Sequence, residues 1–119
     1  MSQLEYFFEH LKQIKDEWVE AATKRLDPTF DLILTEHEDA IKTLQQTIQT
    51  VDAIEAFRKN QDEIIEGVIH SILVMFDHGS ALVDKMKLDI VDLDTRIPLN
   101  ENEIALHEEF ITYMNDHKD

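Results

Sequence analysis

The run Ile64-Ile-Glu-Gly-Val-Ile-His-Ser-Ile-Leu-Val-Met-Phe76 is the most apolar stretch of the chain, and its reading decides the fold class. On a 3.6-residue period, Ile64, Ile65, Val68, Ile69, Ile72, Leu73 and Phe76 cover a very broad helical face. A face that wide needs neighbours on more than one side. The run is therefore expected to be a central helix with the other helices packed around it.

Upstream, Ile54 and Phe57 continue the same period and predict a helix over about Ala53–Asp77, with Asp52 as its cap. Gly67 inside it costs about 1 kcal/mol against Ala, and close approach of another backbone is the expected reason for it. Gly79 stands where a helix C-terminus favours a left-handed residue. Further upstream, Leu4, Phe7, Phe8, Leu11, Ile14, Trp18, Ala22 and Leu26 recur in steps of three and four, predicting a first helix over about Gln3–Leu26. Ser2 and Glu5 have capping-box spacing at its start. Asp27-Pro28 punctuates the chain, and Asp27 is the expected cap of a second long helix. Its stripe runs Phe30, Ile33, Leu34, His37, Ile41, Leu44, Ile48 and Val51.

Downstream, Leu88 and Ile90 alternate with Lys87, Asp89 and Val91, and Arg96-Ile-Pro-Leu is a second extended piece. A small β-strand or hairpin excursion is expected at about 87–99. A shorter helix then spans about 101–115, with Ile104, His107, Phe110, Ile111 and Met114 on its stripe. The expected fold class is mainly α: a compact bundle of three long helices and a shorter C-terminal helix in a single domain over residues 1–119.

Composition supports this and excludes several function classes. Two glycines and two prolines in 119 residues leave few breaks, so long helices dominate. There is no cysteine, which removes disulfides, thiolate nucleophiles and thiolate metal ligands. The two glycines stand too far apart for a phosphate-binding loop, and no cofactor is implied. The start of the chain lacks a basic region followed by an apolar one, and the longest apolar run carries Glu66 and His70. A soluble, cytoplasmic protein is the expectation.

The net charge is −15, from 26 acids and 11 bases. That disfavours direct binding to nucleic acid or to an anionic membrane, because both need clustered Lys and Arg. It favours a basic protein partner, although charge of this sign also serves plain solubility.

Two sets of residues invite a chemical reading. His37 and His107 fall mid-stripe on the second and fourth helices, where an imidazole must find a partner or lose solvation. Together they are candidate metal ligands; the ordinary alternative is a pair of core histidines bonded to backbone. A metal site needs more donors, and neither Glu-x-x-His nor His-x-x-x-His occurs in the chain. The second set is Glu66, His70 and Asp77, which share the narrow polar stripe of the apolar helix. They are candidate binding residues or a carboxylate–histidine pair; the ordinary alternative is a solvated stripe. The residue types around Asp77-His78-Gly79-Ser80 do not make a hydrolase triad, because neighbours on one turn rarely attain that geometry.

The leading expectation is a non-catalytic, acidic protein-interaction module, such as an inhibitor or immunity-type protein that covers a basic partner. The alternatives are a metal- or small-molecule-binding helical bundle, and a homodimeric accessory protein.

Overall fold

A computed structural model describes residues 2–33 and 35–118. The chain is mainly α. Among the described residues there are four α-helices, α1 (Gln3–Lys24), α2 (Glu38–Thr47), α3 (Val51–Phe76) and α4 (Leu106–Asp116), and no β-strand. It divides into two compact units, with the division falling inside α1 and inside α3.

Unit one comprises Met1–Gln13 and Glu66–Asp119. Here α1, α3 and α4 pack together around Phe8, Ile69, Leu73, Leu106, Phe110 and Met114, all of them buried. The Phe8 and Phe110 rings meet edge-to-face at 5.6 Å, a favoured aromatic geometry. Ser2 caps α1 as its spacing predicted, its Oγ accepting from the Glu5 N–H at 3.1 Å.

Unit two comprises Ile14–Ile65. Its buried line runs along α1 through Lys15, Val19 and Thr23 and on to Leu26 just past the helix, whereas Trp18 is 61% exposed. The expected stripe through Trp18 is therefore displaced by one residue. Polar atoms on the buried line are satisfied in place. Lys15 Nζ pairs with Asp62 Oδ1 at 2.9 Å, and the Thr23 hydroxyl donates to the Val19 carbonyl at 2.8 Å. The Gln45 amide donates to the carbonyls of Arg25 and Asp27, at 2.9 and 3.2 Å, where α1 has ended.

Several expectations are corrected. The second helix is short: α2 begins only at Glu38, and the described residues between 27 and 37 are not helical. The Asp27 carboxylate accepts from both the N–H and the hydroxyl of Thr29, so it closes a local turn rather than capping a helix. Of the expected stripe there, Phe30 and Ile33 are exposed, and Leu34 lies outside the described residues. The cap of α3 is the Thr50 hydroxyl, which accepts from the Ala53 N–H at 3.1 Å, and not Asp52.

The excursion at 87–99 contains one isolated antiparallel bridge, Val91 to Pro98, instead of strands. Pro98 has no N–H to extend a ladder. Asp92 binds its own following backbone, at the Asp94 N–H, which tightens the turn. Residues 101–103 form a single 3-10 turn, and positive φ at Asn102 and Glu103 separates it from α4.

The most apolar helix is not covered all round. Ile69 and Leu73 are buried, but Ile64, Val68 and Ile72 are 51%, 54% and 46% exposed. The glycines also behave differently from expectation. His78, not Gly79, takes the left-handed conformation after α3, with φ 64°. The Gly79 N–H returns to the Val74 carbonyl and the His78 N–H to that of Met75, which is the Schellman pattern. Gly79 is needed because a Cβ there would meet Val74 Cγ1 at 2.9 Å. A Cβ on Gly67 would meet nothing within 4 Å, so no backbone approach explains it.

Candidate functional site between helices α3 and α4

Glu66, His70 and Asp77 are spaced four and seven residues apart, so Glu66 and His70 on α3 and Asp77 just past its end share one side. In unit one that side is turned toward α4. The first turn of α4 brings His107 to the same place, so residues that the sequence put into two separate sets form one.

Asp77 is the anchor. Its side chain is 6% exposed. Its oxygens accept from the backbone N–H groups of Leu106 at 2.9 Å and His107 at 2.8 Å, and from His107 Nδ1 at 2.5 Å. The reason lies in the sequence of α4. Its N-cap residue is Ala105, which has no side-chain acceptor. The orphan N–H groups of that first turn must be met from elsewhere, and a carboxylate is the acceptor that the positive end of a helix dipole favours most. Asp77 is thus a clasp from α3 onto α4.

The clasp also fixes His107. A carboxylate can only accept, so Nδ1 carries the proton and Nε2 faces away from Asp77. The His70 ring stands edge-on to the His107 ring, with centroids 5.4 Å apart and planes at 85°. Both imidazoles are half-buried.

On the other side of His70 lies a cavity of about 290 Å³, lined by Glu66, Gly67 and His70 from α3 and by Phe110, Ile111, Met114 and Asn115 from α4. Three kinds of surface meet in it: a carboxylate and an imidazole, an amide, and an apolar wall of Phe110, Ile111 and Met114. Gly67 leaves one side open. No Lys or Arg lines it. A cavity of this size holds a small ligand or one side chain, at roughly 30 Å³ per water-sized group.

His37 belongs to unit two. It precedes α2, is exposed, and donates its backbone N–H to Thr35 Oγ1 at 3.1 Å. The mid-stripe position assigned to it disappears because α2 begins only at Glu38. Among the described residues no group of three or more His, Asp or Glu is placed to hold a metal ion.

Two features escaped sequence reasoning. The Asp77 clasp had a signal, the missing N-cap residue before Leu106. The open side at Gly67 had none, because the glycine alone does not say what approaches it. Other side chains of unit one carry shifted acidities without joining the site. Burial, together with the Glu9 carboxylate, holds the Tyr113 hydroxyl above its ordinary value. Comparisons with protein-family models, with curated proteins and with solved structures return no match.

Proposed function

We propose that this chain is a non-catalytic protein-interaction module that meets a basic partner, in the manner of an inhibitor or immunity protein. The observation that carries the proposal is the uncovered pair Val68 and Ile72 of unit one, large apolar side chains successive on one face of α3, in a chain of net charge −15. Apolar contact supplies affinity, and the acidic field steers a basic partner and disfavours other acidic ones. Affinity capture from source lysate tests this, using the native chain and a Val68→Asp, Ile72→Asp double variant at low and high salt. A basic protein that is retained at low salt, weakened by high salt and lost with the variant is the expected result. Retention indifferent to both salt and substitution refutes it. A native chain that sediments as a dimer, and a variant that sediments as a monomer, would assign the pair to a second copy instead.

A second role, small-molecule binding, is favoured by the cavity beside His70. Its metal-binding form rests on His37 and His107 alone. Native mass spectrometry of chelator-free protein, native and His107→Gln, tests that form: a metal adduct lost in the variant supports it, and an adduct-free native chain rejects it.

A further inference from the structure

We infer that a cavity within unit two, between Trp18, Arg25, Leu44 and Phe57, is a site for a small arylalkyl carboxylate, a free monoanion whose ring enters the cavity and whose carboxylate meets Arg25. The site goes beyond the interaction reading and shares no residue with the cavity beside His70.

Three observations carry it. First, the walls are apolar and within reach of a ligand. Trp18 is 61% and Leu44 39% exposed, and Phe57 is half-buried. Trp18 on α1 and Arg25 just past its end are seven residues apart, two turns, and share one side. Ala21 and Ala22 lie between them and reach no further than Cβ, which leaves a notch. At about 160 Å³ the cavity is smaller than the roughly 300 Å³ at which drug-sized sites begin, so it takes one ring, and aromatic side chains suit an aromatic ring.

Second, the charge at the rim is a cation with nothing bound to it. Among the described residues lining the cavity, Arg25 alone is charged. Lys15, Lys42 and Arg58 of the same unit each pair with a carboxylate, whereas no hydrogen bond or ion pair engages the Arg25 guanidinium among the described residues. Its planar fork of N–H donors fits a carboxylate, and a cationic ligand finds no charge partner.

Third, the backbone that carries Arg25 is already fixed. The Gln45 amide donates to the Arg25 carbonyl at 2.9 Å, and the Leu26 N–H to the Thr23 carbonyl at 3.1 Å, so less ordering is left to binding. The net charge of −15 opposes a polyanion far more than a monoanion, and at about 0.15 M salt it is screened beyond about 8 Å, whereas the Arg25 contact is direct.

The test is a titration of the full chain at that salt with phenylacetate, phenethyl alcohol and phenethylammonium. Trp18 is the single tryptophan of the chain, so its fluorescence reports the cavity. A saturable change is expected with phenylacetate, at least about tenfold tighter than with the alcohol, as befits a charge-assisted hydrogen bond. The ammonium is expected to bind more weakly than the alcohol. Arg25→Gln removes the advantage of the acid over the alcohol, with circular dichroism reporting that the fold is kept. Ala21→Leu, at an exposed helical position, fills the notch and weakens both.

Equal affinity for phenylacetate and phenethyl alcohol in the native chain overturns the carboxylate assignment. No saturable change with any probe, in Trp18 fluorescence or in the NMR signals of the Phe57 ring, overturns the site itself. A parallel titration with acetyl-Ala-Phe carrying a free C-terminus tests the source of the carboxylate. Weaker binding than phenylacetate supports a free small molecule, and tighter binding overturns it in favour of a protein C-terminus.

Discussion

In unit one, a carboxylate from α3 closes the N-terminus of α4; in unit two, a neutral amide from α2 closes the C-terminus of α1. Asp77 accepts from the N–H groups of Leu106 and His107, and Gln45 donates to the carbonyls of Arg25 and Asp27. A helix start offers donors and partial positive charge, so it takes an acceptor and prefers an anion. A helix end offers acceptors, so it takes a donor. Both side chains are buried or nearly so, and both tie together helices that the chain connects through irregular segments. The Asp77 carboxylate is enclosed where three donors converge on it.

Asp77→Ala should break this pattern most severely. It leaves two backbone N–H groups and His107 Nδ1 without their acceptor, and about 2–4 kcal/mol of stability should be lost. Urea unfolding followed by circular dichroism measures it. Asp77→Asn should recover only part of the loss, because its amide nitrogen would face donors. A loss below about 1 kcal/mol for the Ala variant would mean that water replaces the clasp.

Gln45→Leu is the matching break in unit two. Two carbonyls lose a donor, but the leucine keeps apolar volume, so about 1–2 kcal/mol should be lost in the same assay. If it proved as damaging as Asp77→Ala, charge would contribute nothing to the difference between the two clasps.

A smaller effect of opposite sign is expected at Gly67. With no neighbour within 4 Å of a Cβ, Gly67→Ala should stabilise the chain by about 0.5–1 kcal/mol, seen as a rise in the urea midpoint. A fall would reveal a close packing partner.

The smallest effect concerns acidity at exposed turns and pairs, and it treats the two units alike. The Gln3 amide, then the Asp94 N–H, hold Asp92 of unit one below its ordinary value of 3.8. In unit two the Thr29 N–H and hydroxyl do the same for Asp27, and the Arg58 guanidinium, by hydrogen bond and then by charge, holds Glu20 below 4.5. A depressed folded-state value means that the unfolded chain binds protons first. These contributions are fully present above the ordinary values and are lost as pH falls through the folded ones. NMR titration of the carboxyl carbons should place all three midpoints below those ordinary values. Arg58→Ala should move Glu20 up toward the ordinary value and leave Asp92 unmoved.

Much of the helical content was legible, because periodicity and local caps belong to one segment at a time. Gln3–Lys24 and Val51–Phe76 follow the spacing of their apolar residues, and Ser2 caps as predicted. The second helix was overextended because apolar residues at helical spacing were counted through 27–37. There Asp27 and Thr35 bind neighbouring backbone instead. Of the candidate site, helical spacing grouped Glu66, His70 and Asp77 on one side of the apolar helix. The bond of His107 to Asp77 was not foreseen, because that partner is 30 residues away in the chain and reveals itself only as a missing cap at Ala105.

The sequence by itself determined that the chain is mainly helical, acidic and free of cysteine chemistry, since these follow from composition and from the repeat of a single helix. Only the tertiary structure decided which side of each helix is covered. Buried lines on α1 run through Lys15 and Thr23, not Trp18, and α3 leaves Ile64, Val68 and Ile72 in solvent. The physical reason is competition for contact. A helix with apolar residues over most of its surface offers more area than three or four neighbours can cover, and its period does not say which part they choose.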